Sequence, residues 1–192
     1  MRARDNPFST DRVLAVRFEP QDMAWPDLWN RIVRMNYRGA IVGLEGSGKT
    51  TLLEDLSPRL RETGCVPLPL RLDRENRAFT REQLDTIFKR DLSNSVVLFD
   101  GAEQLGRLAW RRFLSNTKSA RGLIITSHRA GLLPTIIEAR TSPELLGRIV
   151  ERLLQGFGAL SSDEISQLWH CHRGNVREAL RELYDRYSLV PL

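Results

Sequence analysis

The sequence predicts an α/β protein: a parallel sheet with helices on both faces over residues 1–141, followed by a small helical lid over residues 142–192. Three observations carry that expectation. A short apolar run, Ala40-Ile41-Val42, leads through a glycine-rich loop into an apolar-periodic helix at Leu52, Leu53 and Leu56. Val96-Val97-Leu98-Phe99 is a second apolar run that ends on Asp100, as suits a central parallel strand buried on both faces. Beyond Thr141 the spacing of apolar residues becomes wholly helical.

The elements follow in chain order. Asn6-Pro7-Phe8 is irregular, Val13 to Phe18 alternates as a short strand would, and Pro26 to Met35 has helical spacing at Leu28, Ile32 and Val33. The helix from Lys49 is expected to reach Leu56, with Ser57-Pro58 kinking it or starting a second turn and Gly64 closing it. Val66 to Leu72 reads as a strand whose Pro67 and Pro69 place it at a sheet edge. Thr80 and Gln83 make a capping box for a helix carrying Leu84, Ile87 and Phe88. After the Asp100 strand come a helix over Leu105 to Leu114, a polar turn over Ser115 to Arg121, a strand over Leu123 to Ser127 and a last strand over Pro134 to Ala139. Ser142 then caps a helix with Pro143 at its first position, Ser161 or Ser162 opens another, and Asn175 caps a third.

Composition narrows the class. At 192 residues, with 41% hydrophobic and 28% charged side chains, the chain has the make-up of one globular core with a small appendage. No apolar run approaches the length of a membrane span and the first residues lack a secretion signal, so no membrane partner and a cytoplasmic location are expected. Cys65 and Cys171 sit in no C-x-x-C pair and read as reduced thiols. The net charge of +5 comes with 26 arginines and three lysines spread along the chain among acids, a solvated mixed surface compatible with a nucleic-acid partner without requiring one.

The loop carries the chemistry. Gly43, Gly48, Lys49 and Thr50 satisfy G-x-x-x-x-G-K-[ST] between a strand and a helix, the context in which that spacing cradles a polyphosphate. Glycines at 43, 46 and 48 turn the backbone and bare its N–H groups, and the helix start adds its positive end. Lys49 is expected on the β- and γ-phosphates, Thr50 on a magnesium ion, and Thr51 at the helix start. The candidate nucleotide contacts are thus Gly43, Glu45, Gly46, Ser47, Gly48, Lys49, Thr50 and Thr51.

Asp100 is the second half of the site. An acid at the carboxyl end of a parallel strand can face the Mg²⁺ ion through water or the Thr50 hydroxyl, the other reading being an N-cap for the next helix. The spacing from the loop, with one strand between them in sequence, suits an acid strand lying beside the loop strand. Thr126, Ser127 and His128 end a strand as well; a hydroxyl there, Ser127 above all, bonds the γ-phosphate or attacking water, or else only forms the turn. Phe8, Trp25, Trp29 and Tyr37 are core residues or, for one of them, the flank of an adenine. His170-Cys171-His172 is not read as a zinc site, since neighbours on a helix diverge and no second ligand pair occurs.

Together these motifs resemble the additional-strand division of phosphate-loop nucleoside triphosphatases, the AAA+ and STAND-like ATPases within it. The matching pieces are Gly43 to Thr50, Val96 to Leu105, Leu123 to Ser127, and G-N-V-R-E-A-L at Gly174 to Leu180, which looks like the sensor-2 lid segment of origin-recognition and transposition-accessory ATPases. Asn6-Pro7-Phe8 is similar to the adenine side of that group. The resemblance implies ATP and Mg²⁺ as cofactors and Arg177 as a phosphate-sensing residue, the alternative being a surface arginine paired with Glu178 or Asp185. Many relatives carry an acid directly after the strand-end Asp, where this chain has Gly101; Glu103 is then the residue to orient the attacking water, and slow hydrolysis is expected.

The function expected is an ATP-binding switch, a slow Mg²⁺-dependent ATPase that engages a protein or nucleic-acid partner. A homo-oligomer is the natural source of an arginine finger. Two alternatives stand: a small kinase of a nucleoside or metabolite, suggested by Asp73-Arg74 after the second strand, and a scaffold that binds ATP without turning it over. No N-K-x-D base-reading motif separates ATP from GTP.

Overall fold

The computed structural model describes residues 5–89 and 91–188. The described residues form two compact units, one of residues 5–21, 44–48 and 140–188 and the other of residues 22–43, 49–89 and 91–139.

The second unit is an α/β layer built on five strands: β1 (Arg38–Val42), β2 (Val66–Arg71), β3 (Ser95–Asp100), β4 (Gly122–Ser127) and β5 (Thr135–Glu138). They lie in the order β2-β3-β4-β1-β5, and every pair is parallel. The acid strand β3 therefore does not lie beside the loop strand β1, as its spacing in sequence suggested; β4 stands between them. Sequence order does not dictate neighbour order in a parallel sheet, because each crossover passes over a face and can return at any free edge.

The unit's helices are α2 (Trp25–Arg34), α3 (Lys49–Glu62), α4 (Arg81–Lys89) and α5 (Arg107–Asn116). Because strand residues alternate between faces, Val97, Phe99, Leu123 and Ile125 join Ile87, Trp110 and Phe113 in one cluster. Their alternates Val96, Leu98 and Ile124 are equally buried, and α3 packs across β1 to β4. Both faces are thus covered, which explains the unbroken apolar runs. Phe79, Phe99 and Phe113 form an aromatic contact network with centroids 4.9–5.6 Å apart.

Local chemistry sets the ends. α3 runs through Pro58 without breaking and Gly64 follows it in a left-handed conformation. The capping box predicted at Thr80 and Gln83 is present in both directions, at 2.9 and 3.2 Å. β2 is the edge strand that Pro67 and Pro69 require. The Phe88 side chain, expected on α4, lies outside the described residues.

The first unit is helical: α1 (Thr10–Leu14), α6 (Pro143–Leu153), α7 (Ser162–Cys171) and α8 (Val176–Ser188). The short strand expected over Val13 to Phe18 is not formed. Residues 10–14 are helix instead, and Val13 and Val16, three apart, pack on the helical core. That core gathers Leu146, Val150, Leu153, Ile165, Leu168, Val176, Leu180 and Leu183 with Phe8. Asn6 fixes the N-terminal segment to α8, donating to the Tyr184 carbonyl at 2.9 Å and the Ser188 hydroxyl at 3.1 Å. Ser142 caps α6, Ser161 caps α7 through a complete capping box with Glu164, and Asn175 caps α8. Each such cap is worth about 1 kcal/mol. No helix among the described residues is long and apolar enough to cross a membrane.

Candidate functional site

In the α/β unit, the carboxyl ends of β3 and β4 and the start of α3 bring together residues from three distant parts of the chain. The Thr50 hydroxyl donates to Asp100 Oδ2 at 3.0 Å. Thr126 donates to Asp100 Oδ1 at 2.6 Å and accepts the Gly101 N–H at 2.9 Å. The register explains Thr126: Leu98 pairs with Ile124 and Phe99 with Ile125, so the next residues along, Asp100 and Thr126, come level at the strand ends. Arg71, at the end of β2, brings its Nε within 3.8 Å of Asp100 Oδ2. Asp100 is therefore oriented from three sides.

Lys49 is buried at 8% exposure, and its ammonium donates to the Gly43 carbonyl at 2.8 Å. A buried cation needs such oxygens, since desolvation without them is costly. The lysine thus returns to the residue at which the glycine loop begins.

Gly101 has φ +84°, and a Cβ built on it would stand 2.1 Å from the Leu72 carbonyl oxygen. The same backbone approach carries a hydrogen bond, Leu72 N–H to the Asp100 carbonyl at 2.9 Å. No side chain fits at position 101, so a carboxylate directly after Asp100 is sterically barred. The next carboxylate along the chain is Glu103, in the 3-10 turn Ala102–Gln104. Its Oε1 lies 3.5 Å from His128 Nε2, while its Oε2 is buried and has no hydrogen-bond partner. A buried carboxylate oxygen left unpaired is costly, and a water or ligand hydroxyl would satisfy it.

Ser127 turns inward on its own segment. Its hydroxyl donates to the Arg129 carbonyl at 2.8 Å and accepts the Arg129 N–H at 3.3 Å. Asp73, the acid of the kinase alternative, accepts the backbone N–H groups of Asn76 and Glu75 at 2.7 and 2.9 Å. The Asn76 N–H bond, the largest of these influences, holds its carboxyl below the ordinary range. Trp29 and Tyr37 meet edge to face, and the Arg59 guanidinium lies over Trp25 at 4.5 Å from the ring centroid.

In the helical unit, Leu44 and Glu45 are exposed and Ser47 is buried, its hydroxyl without a partner. Gly46 has φ +73°, and a Cβ there would lie 1.9 Å from Asn175 Oδ1. That same Oδ1 accepts the Glu178 N–H at 3.1 Å, so the loop rests on the cap of α8 and only glycine allows the approach. Arg177, two residues past that cap, is exposed and forms no ion pair with Glu178 or Asp185. The His170-Cys171-His172 run is dispersed: His170 Nδ1 is 2.7 Å from the Ser166 carbonyl, and His172 Nε2 is 2.5 Å from Glu182 Oε2. The His172 hydrogen bond is the largest influence on Glu182, whose carboxyl titrates below its ordinary value.

Thr126 as a holder of Asp100, His128 beside Glu103, and Asn175 beneath Gly46 are roles the motifs did not single out. The first was within reach of a strand-register argument. The other two depend on loops whose paths no periodicity encodes. No family model matches the chain, and no curated protein matches it.

Proposed function

We propose that the chain binds ATP with Mg²⁺ and is a slow ATPase of the additional-strand phosphate-loop type, working as a switch with a macromolecular partner. The observation that carries the reading is the Thr50–Asp100 hydrogen bond: the two side chains that the motifs offer as metal holders meet although 50 positions separate them. Lys49 adjoins Thr50 in the chain and is buried, its side-chain nitrogen hydrogen-bonded to the Gly43 carbonyl. The strand order supports the same reading, since β4 is a strand added between the loop strand and the acid strand.

The residues fit the cation. Thr50 and Asp100 offer two hard oxygens, and among the described residues no group of three or more His, Cys, Asp or Glu could hold a metal by itself. Magnesium binds in this way, through one or two protein oxygens with phosphate and water completing the octahedron. When bound, it would neutralise charge on the β- and γ-phosphates. Thr126 and Arg71 keep the Asp100 carboxylate aimed, and Lys49 supplies the nearby point charge. Glu103 offers the unpaired oxygen on which an attacking water can rest, three residues beyond the acid rather than directly after it. That displacement is the reason for slow turnover.

The scaffold alternative keeps one specific support: Glu103 is engaged by His128. The two readings separate cleanly in one assay. Phosphate release above background that disappears in Glu103→Gln supports the ATPase; ATP binding with no such release supports the scaffold.

A further inference from the structure

The chain's net charge is not evenly spread along the sequence. From Gln104 to Ile137, 34 consecutive residues hold no acid and six cations, Arg107, Arg111, Arg112, Lys118, Arg121 and Arg129. The whole chain has 29 basic and 24 acidic side chains, so removing this segment leaves 23 and 24. The entire net charge resides here.

The fold puts these cations outside. Trp110 and Phe113, with Thr117 just past the helix, form the buried side of α5, and Arg107, Leu108, Arg111, Arg112 and Ser115 its solvent side. Lys118 and Arg121, in the turn that follows, are exposed too. No ion pair among the described residues involves any of the five cations from Arg107 to Arg121; Arg121 lies over the Tyr37 ring. The helix gains nothing from this arrangement. Arg107 stands in its first turn, where the dipole disfavours a cation, no acid occupies that turn, and Arg107 and Arg111 are like charges one turn apart.

We infer that the outer face of α5 and the turn after it bind the phosphate backbone of double-stranded DNA. A ridge of guanidinium groups on a convex helix suits a duplex, whose major groove is wide enough to admit a helix, and arginine forks match phosphate oxygens in pairs. The deep, narrow major groove of duplex RNA does not admit one. A membrane surface would call for a broad apolar side beside the cations, and Leu108, 80% exposed, is the one large apolar side chain exposed on this face. An acidic peptide would seek a groove rather than a ridge. This surface is independent of the nucleotide reading and is tested without nucleotide.

The test is fluorescence anisotropy of a labelled DNA duplex of about two helical turns, titrated with the full chain between about 50 and 200 mM salt. The triple variant Arg107→Gln, Arg111→Gln, Arg112→Gln is expected to bind at least tenfold more weakly, and its plot of log affinity against log salt to be shallower by about 2 to 3. The triple variant Arg34→Gln, Arg61→Gln, Arg81→Gln removes equal charge from exposed positions elsewhere and is expected to change affinity by less than about threefold. Absence of wild-type binding, equal weakening by the two triples, or better competition by duplex RNA or poly-glutamate than by DNA would each overturn the inference.

Discussion

Thr50 and Asp100 are joined by a 3.0 Å hydrogen bond in which the threonine donates and the carboxylate accepts. An aspartate in this position, with its other oxygen held by Thr126, has both lone-pair edges fixed in space. Such outer partners commonly govern metal affinity as strongly as the ligands they orient. Asp100→Asn is therefore expected to weaken Mg²⁺-dependent ATP binding by about ten- to a hundredfold, and Thr126→Val by a smaller factor in the same direction. Titration calorimetry with ATP, with and without Mg²⁺, reads both; equal affinities in all three proteins would refute the shared role of these groups.

Gly101 makes a stability prediction that needs no ligand. An alanine there would take up a left-handed φ and drive its Cβ against the Leu72 carbonyl. The expected loss is at least about 2 kcal/mol, from positive-φ strain plus a backbone shift. Gly64 has a similar φ with open space around it, so Gly64→Ala should cost about 1 kcal/mol. Urea denaturation that ranks the two variants the other way would contradict the steric account.

How far the sequence reveals this architecture depends on whether a signal is local. The loop, the buried strand ending on Asp100 and the caps at Thr80, Ser142, Ser161 and Asn175 are legible because spacing and residue type act within a few positions. Val13 to Phe18 misled because a few alternating residues are as compatible with one helical turn and an irregular tail as with a strand. The placing of β4 between β1 and β3 is a property of crossovers and left no local mark. Glu103 follows from the family resemblance as the next carboxylate along the chain from Asp100, whereas its neighbour His128 is located only in three dimensions.

The Glu103–His128 contact leads to a kinetic expectation. If His128 positions Glu103, His128→Ala should lower the rate of phosphate release by about tenfold while leaving ATP affinity unchanged, and His128→Gln should restore part of the loss. A variant that loses rate and affinity together would instead show that His128 supports the loop ends structurally.

Glu19 should contribute to the acid lability of the helical unit. Burial pushes its carboxyl up, but hydrogen bonds and charge from Arg148 and Arg152 outweigh it, and the group titrates below its ordinary 4.5. A carboxyl lowered in the folded state stabilises above its unfolded value and loses that contribution as pH falls through the folded one. Glu19→Gln is thus expected to lower Tm at pH 7, with the gap from wild type closing as the pH falls below 4.5. A gap that is constant with pH would mean the two arginines contribute through packing alone.

Lys49 decides the central claim. Titration of the protein with ATP and Mg²⁺ should show saturable binding in the wild type, and Lys49→Ala, with its fold verified by circular dichroism, should bind at least about a hundredfold more weakly, the loss expected when a buried cation leaves a polyphosphate. Equal binding by the two proteins, or no binding by either, would contradict the assignment of the Gly43–Thr50 loop to a nucleotide.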